Sequence, residues 1–212
     1  MDLSKALQKA LVQRTVVKVN RCYLPEHNYD RENPCYRDIF EFDGNVLKYY
    51  VHRNLIFTYD FADNVISVSH CGYETNLTRD RLNFIFNEFN LPIRAHLRLT
   101  TLNRYMLLHV YDLPYEFALM PNAKFKVTNG SVKPIEDHTV RMYRCVPDRL
   151  TMKTLIEKGL AKKVTNGVYV MNDVVFVKKP HENIYFEVKY FEDVGLLNYV
   201  PKKALTVAKL IA

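Results

Sequence analysis

Residues 64–92 constrain the fold most, because a strand, a turn, a helix start and a helix stop can be read there in succession. A β-branched run at 65–69 predicts a strand, and Gly72 marks the turn that follows it. We predict a helix next, with Thr78 as the N-cap whose hydroxyl accepts from a free backbone amide. Apolar residues then recur at intervals of three and four, at Leu82, Ile85, Phe86 and Phe89. Pro92 ends this helix, so the segment predicts a strand–turn–helix unit.

The residues around this unit have the pattern of antiparallel β structure. From 39 to 71, apolar and aromatic segments alternate with short turns. The Asp43-Gly44 step is a strong hairpin signal, because glycine adopts positive φ without steric cost. Two further β segments are predicted between 93 and 110. Together with the helix patterns, this indicates an α+β fold, a mostly antiparallel sheet with a few packed helices.

Three other segments have helical features. Residues 2–13 predict an amphipathic helix capped by Asp2 or Ser4. Residues 147–159 predict a compact helix, and residues 202–212 predict a short helix or a frayed end. The predicted inward residues of the middle helix are Leu150, Leu155 and Ile156, with Gly159 at its C-cap.

The later strands are punctuated by turn residues. We predict that a strand at 123–128 pairs with one at 139–146, and that 184–191 is an alternating strand. An Asn-Gly turn at 166–167 joins the arms of a basic hairpin. The helix at 147–159 followed by this hairpin is locally similar to the end of a winged-helix domain. No helix-turn-helix pattern precedes it, so a plain packing unit is the alternative.

The proline-bounded stretch 112–121 is the first candidate for a boundary. We predict that it is a connector or short helix between two regions. The N-terminal region, 1–112, is α+β and carries the strand–turn–helix unit, and the C-terminal region, 113–212, is αβ and carries the basic hairpin. One continuous domain is the alternative, since 212 residues suit either arrangement.

The formal net charge of +7 permits contact with nucleic acid or with an acidic protein, although no region is strongly basic. Ordinary solvated lysines, and arginine stems that cover apolar surface, are the alternative. The candidate secondary basic surface consists of Arg94, Arg98, Arg104, Lys162 and Lys163.

A long polar stretch at 24–38 predicts a loop. Loops of this length in compact domains are commonly functional, so Tyr29, Arg31 and Tyr36 are surface candidates. A plain surface excursion is the alternative.

No catalytic, cofactor-binding or metal signature stands out in the sequence. The six glycines form no phosphate-binding loop, and the four cysteines follow no C-x-x-C pattern. His52 and His70 could approach Cys71 if their strands share a sheet, but His70 and Cys71 are neighbours and point to opposite faces of a strand. A buried inert thiol is the alternative at Cys71. We therefore predict no cofactor, and an enzyme with an unrecognised site is the third functional hypothesis.

The N-terminus lacks the pattern of a secretory signal, and no run of about 18 apolar residues predicts a membrane span. We expect a cytoplasmic protein without membrane contact in whatever cell makes it. The sequence does not fix the oligomeric state.

Residues 71–83, CGYETNLTRDRLN, carry a resemblance to a known group of proteins. The stretch resembles a family of small uncharacterised tailed-bacteriophage proteins. The shared pattern is an aromatic residue after a glycine, then a threonine pair, and then a basic residue followed by R-[LI]-N at the start of a helix. Leu77 stands where the first of two adjacent threonines is expected, and the resemblance extends over residues 54–92. It implies a phage-encoded protein made inside a bacterium, with no established activity to transfer.

The same stretch contains the candidate binding patch. Free amides at a helix N-terminus favour negative charge, so side chains clustered there could contact an anion or a phosphate. The candidate patch consists of Tyr73, Thr75, Arg79, Arg81 and Asn83. The structural alternative is that Gly72, Thr78 and Leu82 only shape the turn and the helix.

From these features we expect a phage-encoded accessory protein that binds nucleic acid or a host protein and is not catalytic. The alternative is a virion or assembly component, for which an obligate homo-oligomer is the mark.

Overall fold

The computed structural model describes residues 1–22, 36–135 and 142–211. The helices are α1 (Leu3–Gln13), α2 (Asn76–Glu88), α3 (Arg149–Glu157), α4 (Val188–Asp193) and α5 (Lys202–Ile211), with a 3-10 turn at Leu197–Tyr199. The strands are β1 (Val17–Arg21), β2 (Tyr36–Asp43), β3 (Val46–Val51), β4 (Asn54–Asp60), β5 (Val65–Ser69), β6 (Ile93–Leu99), β7 (Arg104–Val110), β8 (Glu116–Leu119), β9 (Asn122–Thr128), β10 (Ser131–Pro134), β11 (Met142–Val146), β12 (Lys162–Thr165), β13 (Val168–Met171), β14 (Val174–Lys178) and β15 (Tyr185–Glu187). The predicted α+β class with antiparallel sheets is confirmed.

The chain forms two compact units that interleave in sequence. Residues 1–92 and 121–141 make the first unit, and residues 93–120 and 142–212 make the second. The chain therefore leaves the first unit after α2 and returns to it for β9 and β10. The sequence prediction placed one boundary after residue 112, and separate folding of 113–212 stays a prediction.

The first unit is built on a seven-stranded antiparallel sheet in the order β1-β2-β3-β4-β5-β9-β10. The predicted hairpin at Asp43-Gly44 is present, with Asp43 opposite Val46 and Gly44 at φ +60°. One face of the sheet carries large apolar side chains, and Phe40 stacks on Tyr49 with ring centroids 4.4 Å apart. Rings from α2 pack against this face, so burial of aromatic surface fixes the helix on the sheet.

The second unit is built on an eight-stranded antiparallel sheet in the order β12-β13-β14-β15-β11-β8-β7-β6. The predicted hairpin turn at Asn166-Gly167 joins β12 to β13. Helices α4 and α5 pack on β14 and β15, and in this core Tyr190 of α4 stacks on Phe186 of β15 with ring centroids 4.0 Å apart. Among the described residues, no helix is long and apolar enough to cross a bilayer.

Several local predictions were wrong. The predicted connector at 112–121 contains strand β8, which pairs with β7 and β11. Its short apolar run is flanked by prolines that bound the strand without interrupting it, a case in which periodicity cannot separate strand from helix. Strand β9 pairs with β10 and β5, not with β11, because the Asn129-Gly130 turn returns the chain at once. Residues 139–141 lie outside the described part.

The segment 184–191 is not one strand. Strand β15 ends at Glu187, and α4 begins at Val188, because Val188 and Phe191 bury the same side of a helical turn in the core. Packing therefore overrides the strand preference of these residues. In α3, Leu155 is buried as predicted, but Leu150 is 73% exposed and Ile156 is 36% exposed, and Met152 takes the inward position.

Candidate functional site

The candidate patch lies where β5 turns into α2. Thr75, not Thr78, is the N-cap, and its Oγ1 accepts from the backbone N–H of Thr78 at 3.2 Å. The two threonine hydroxyls lie 3.1 Å apart, and Thr78 is buried. The sequence prediction of Thr78 as the cap was therefore three residues late. Thr75 has the extended backbone that a cap requires, whereas Thr78 lies within the first helical turn.

His70 shapes the turn before the helix. Its Nδ1 accepts from the backbone N–H of Gly72 at 3.0 Å, and its carbonyl accepts from the N–H of Tyr73 at 2.7 Å. Its Nε2 lies 3.9 Å from Glu74. Cys71 and Gly72 both have positive φ, at +51° and +82°. The imidazole of His70 is thus committed to the turn, which leaves the hypothetical pairing of His70 with Cys71 without structural support.

Arg81 is turned toward the sheet and pairs with Asp38 of β2. Its Nε lies 2.7 Å from Oδ1 of Asp38 and its Nη2 lies 3.3 Å from Oδ2. The Arg81 side chain is 16% exposed and that of Asp38 is fully buried. The candidate patch grouped Arg81 with Arg79, but the two side chains point in nearly opposite directions, because they are two residues apart on a helix.

Asp38 is the centre of a buried polar cluster. Tyr49 donates its hydroxyl to Oδ1 at 2.7 Å, and the Asn20 amide donates to Oδ2 at 2.6 Å. Burial acts to raise the pKa of Asp38, but the hydrogen bonds from Asn20, Tyr49 and Arg81 outweigh it and hold the pKa below 3.8. The carboxylate is therefore ionised, and its contact with Arg81 holds α2 on the sheet.

The remaining patch residues face outward to different degrees. Tyr73 is 56% exposed. Arg79 makes a two-pronged contact with its neighbour Asp80, at 2.9 Å from Nε and 2.7 Å from Nη2. Asn83 lies four residues after Arg79, on the same side of the helix, and is half-buried. The structure thus brings Tyr73, the Thr75 cap and Arg79 together at the start of α2, and their role in binding stays a prediction.

The candidate basic surface is spread over both edges of the second sheet. Arg94 and Arg98 lie on β6 and Arg104 begins β7, whereas Lys162 and Lys163 lie on β12 at the opposite edge. Seven strand spacings separate these edges, about 30 Å. Arg98 also lies 3.8 Å from Asp148. These five residues therefore form two small basic areas and not one strip.

Basic residues stand on each terminal strand of both sheets in the described residues. In the first unit, Lys18 lies on β1 and Lys133 lies on β10, and both are exposed. Together with β6 and β12 of the second unit, all four terminal strands carry lysine or arginine. Charged side chains on edge strands oppose edge-to-edge pairing with another chain, so this placement has a structural explanation.

The second unit contains a buried network that the sequence did not reveal. Glu182 accepts from Lys179 at 2.7 Å, and Tyr105 donates to the same carboxylate at 3.1 Å. Asn103 also donates to it, at 2.8 Å. Lys179 also contacts the Tyr105 hydroxyl at 2.6 Å and lies over the Tyr105 ring. The network thus connects the β6–β7 hairpin to the segment after β14.

Each unit contains a cleft in the described part of the chain. In the first unit, a cleft of about 480 Å³ runs over β4, β5 and β9, and Thr58, Ser67, Ser69, Cys71 and Lys124 are among its lining residues. In the second unit, a cleft of about 360 Å³ lies beside α4 and α5, with Arg144, Glu187 and Lys209 among its lining residues. Neither includes the candidate patch.

The sequence predicts no metal site among its seven histidines and four cysteines. In the described residues, no group of three or more His, Cys, Asp and Glu side chains is arranged to hold a metal ion. The loop candidates Tyr29 and Arg31 lie outside the described residues, and Tyr36 begins β2. The structure does bring His52 close to a cysteine, but that cysteine is Cys22.

One family model matches part of the chain. Residues 26–106, less than half of the chain, match the family described as Kyanoviridae Gp96 protein. This segment contains β2 to β6 and α2, including Asp38 and Arg81. No curated protein and no solved structure matches the chain. The suspected resemblance is therefore confirmed in this segment: the chain is similar there to a bacteriophage protein family of unknown function.

Proposed function

We propose that the chain is a non-catalytic, phage-encoded accessory protein of the host cytoplasm that binds a protein partner through the surface at the start of α2. The observation that carries this proposal is the exposure of Tyr73 just before α2, the helix whose first residues carry the Arg79–Asp80 ion pair. This surface lies in the segment that is similar to the phage family.

The chemistry of this surface suits a protein better than a phosphate. Tyrosine and arginine are enriched among the residues that carry binding energy in protein interfaces. The positive charge of Arg79 is already balanced by Asp80, and Arg81 is engaged with Asp38. Glu74 adds a further negative charge next to Tyr73. The patch thus lacks the positive surplus that attracts a nucleic-acid backbone.

Nucleic acid is the other branch of the hypothesis. It draws support from the net charge of +7, but the basic side chains at the sheet edges are dispersed. Binding of DNA and RNA at about 50 and 200 mM salt separates the branches, because phosphate contacts weaken steeply as salt rises. Tight binding at low salt that falls about tenfold or more would favour nucleic acid, and no binding at about 50 mM salt would exclude that branch.

The test of the protein branch is affinity capture from bacterial host extract with the tagged full chain, with and without nuclease. We expect one host protein to be recovered in both conditions. The variants Tyr73→Ala and Arg79→Ala should lose this protein, whereas Tyr199→Ala should retain it. Tyr199 is a matched control because it is 50% exposed and lies in the other unit. Equal recovery by all variants would contradict the proposal.

A homo-oligomeric virion or assembly component is the competing function. Light scattering after size exclusion separates the two, since a stable monomer is expected of the accessory protein. A closed ring or a larger assembly of fixed mass would favour the competing function.

A further inference from the structure

A thiol and an imidazole meet at the ends of β1 and β3 in the first unit. Sγ of Cys22 lies 3.8 Å from Nδ1 of His52, which is within hydrogen-bond reach for sulfur. Both residues are half-buried. The pair is separate from the α2 patch and from both clefts.

Strand register creates this pair from residues that are 30 positions apart. Arg21 lies opposite Tyr36 between β1 and β2, and Asp38 lies opposite Val51 between β2 and β3. The residues that follow Arg21 and Val51 therefore emerge at the same end of the sheet. The backbone of His52 is held there, because its N–H donates to the Arg37 carbonyl at 2.8 Å.

His52 occupies a turn that disfavours it. His52 and Arg53 form a two-residue hairpin turn in which both residues have positive φ, +48° and +68°. Such turns strongly prefer Asn, Asp and Gly, and a non-glycine residue pays about 1–2 kcal/mol in this region. Two other turns of the same kind in the described residues follow the preference, with Asn129-Gly130 and Asn172-Asp173. Arg53 departs from the same preference, so it is the contact of His52 with Cys22 that directs attention to the imidazole.

We propose that His52 activates the Cys22 thiol and that Cys22 is a site of thiol–disulfide exchange with small-molecule disulfides. Nδ1 of His52 takes the proton of Sγ, which leaves a thiolate next to an imidazolium. The thiolate attacks one sulfur of the disulfide, a new sulfur–sulfur bond forms and the old one breaks. The released thiolate takes a proton from the imidazolium, so the step balances without a further reactant.

The other thiols of the described residues have different surroundings. Sγ of Cys71 donates to the Leu55 carbonyl at 3.1 Å and has no histidine ring nitrogen as its hydrogen-bond partner there. Cys145 is wholly buried, and burial raises its pKa well above the ordinary value. Cys71 and Cys145 therefore provide comparators within the same molecule.

The experiment treats the folded full chain with oxidised glutathione from pH 6 to pH 9 and follows each cysteine by peptide mass spectrometry. We expect Cys22 to react at pH 7 at least about fivefold faster than it does in His52→Asn, because an ordinary thiol is only a few per cent thiolate at that pH. The two rates should converge as the pH approaches 9. Asparagine tolerates positive φ, so His52→Asn removes the imidazole without disturbing the turn.

Arg53→Gly is the matched control, because it relaxes the same turn and keeps the imidazole. Its Cys22 rate should stay within about twofold of the wild type. Equal rates for wild type and His52→Asn at pH 7 would overturn the proposal. A rate that falls as much in Arg53→Gly as in His52→Asn would do so too, since the turn and not the imidazole would then control the thiol. No modification of Cys22 in the folded protein would also contradict it.

Discussion

Arg81 of α2 and Asp38 of β2 form a two-pronged ion pair, with Nε of Arg81 2.7 Å from Oδ1 of Asp38. The carboxylate is fully buried and also accepts from Tyr49 and Asn20. The pair therefore connects the helix that carries the candidate patch to two neighbouring strands and, through Asn20, to β1.

Replacing Arg81 should destabilise the protein far more than replacing Arg79. In Arg81→Met the buried Asp38 loses its closer charged partner and keeps Arg37, at 3.3 Å. Removing one member of a buried pair costs up to about 3–5 kcal/mol. Arg79→Met is the matched control, because its pair with Asp80 is exposed and worth about 1 kcal/mol or less. The free energy of unfolding in urea measures both changes. Equal losses would mean that Arg81 does not support the fold as the geometry indicates.

The same carboxylate predicts how stability depends on pH. Because the pKa of Asp38 is lowered below 3.8 in the folded state, its contribution to stability is present above the unfolded value. It is lost as the pH falls through the folded pKa. Glu182 acts in the same direction. Burial acts to raise its pKa, but the hydrogen bonds from Lys179, Thr100 and Asn103 outweigh burial and lower the pKa.

We therefore expect the free energy of unfolding to decline below about pH 4. The carboxyl carbon resonance of Asp38, followed by NMR in the folded protein, gives the pKa directly. A midpoint at or above 3.8 would contradict the described hydrogen bonds.

The position of the helix cap can be tested independently. Thr75→Ala removes the acceptor for the Thr78 N–H and should reduce the free energy of unfolding by about 1 kcal/mol. Thr75→Asp should restore it, because a carboxylate caps equally well and suits the helix dipole. Thermal unfolding of the three proteins measures the difference. If Thr75→Ala is neutral, the cap lies elsewhere.

The lysines of β12 should protect the second sheet from edge-to-edge pairing. Replacing Lys162 and Lys163 by Thr and Val leaves an exposed, uncharged edge strand, so aggregation should increase with concentration. The matched variant replaces Lys202 and Lys203, which are exposed at the start of α5, by the same residues. Static light scattering of both variants at equal concentrations makes the comparison, and the helix variant should remain soluble. If the β12 variant and the α5 variant aggregate equally, lost positive charge and not the exposed strand edge would explain the effect, and the prediction would be wrong.

The sequence predicted those elements whose signals are local. The hairpins at Asp43-Gly44 and Asn166-Gly167 were predicted because glycine and asparagine mark turns through their own backbone preferences. Strand β8 was missed because its apolar run reads equally well as helix or strand. The structure resolves this ambiguity through the pairing with β7 and β11.

The polar contacts could not be predicted, since they join residues that are far apart in sequence. Arg81 and Asp38 are 43 residues apart, and Tyr105 and Glu182 are 77 apart. Tertiary packing brings such pairs together, because Arg81 lies on α2 and Glu182 lies in the segment between β14 and β15. The helical period could have separated Arg79 from Arg81 in advance, because two residues correspond to a rotation of about 200°.

The decisive measurement for the binding hypothesis is the affinity of the nuclease-resistant host partner for wild type, Tyr73→Ala and Tyr199→Ala. Loss of an exposed aromatic anchor should weaken binding by about 2 kcal/mol, roughly 30-fold. We predict that loss for Tyr73→Ala and an unchanged affinity for Tyr199→Ala. Equal affinities of all three proteins, or recovery of the partner only through nucleic acid, would contradict a protein-binding surface at the start of α2.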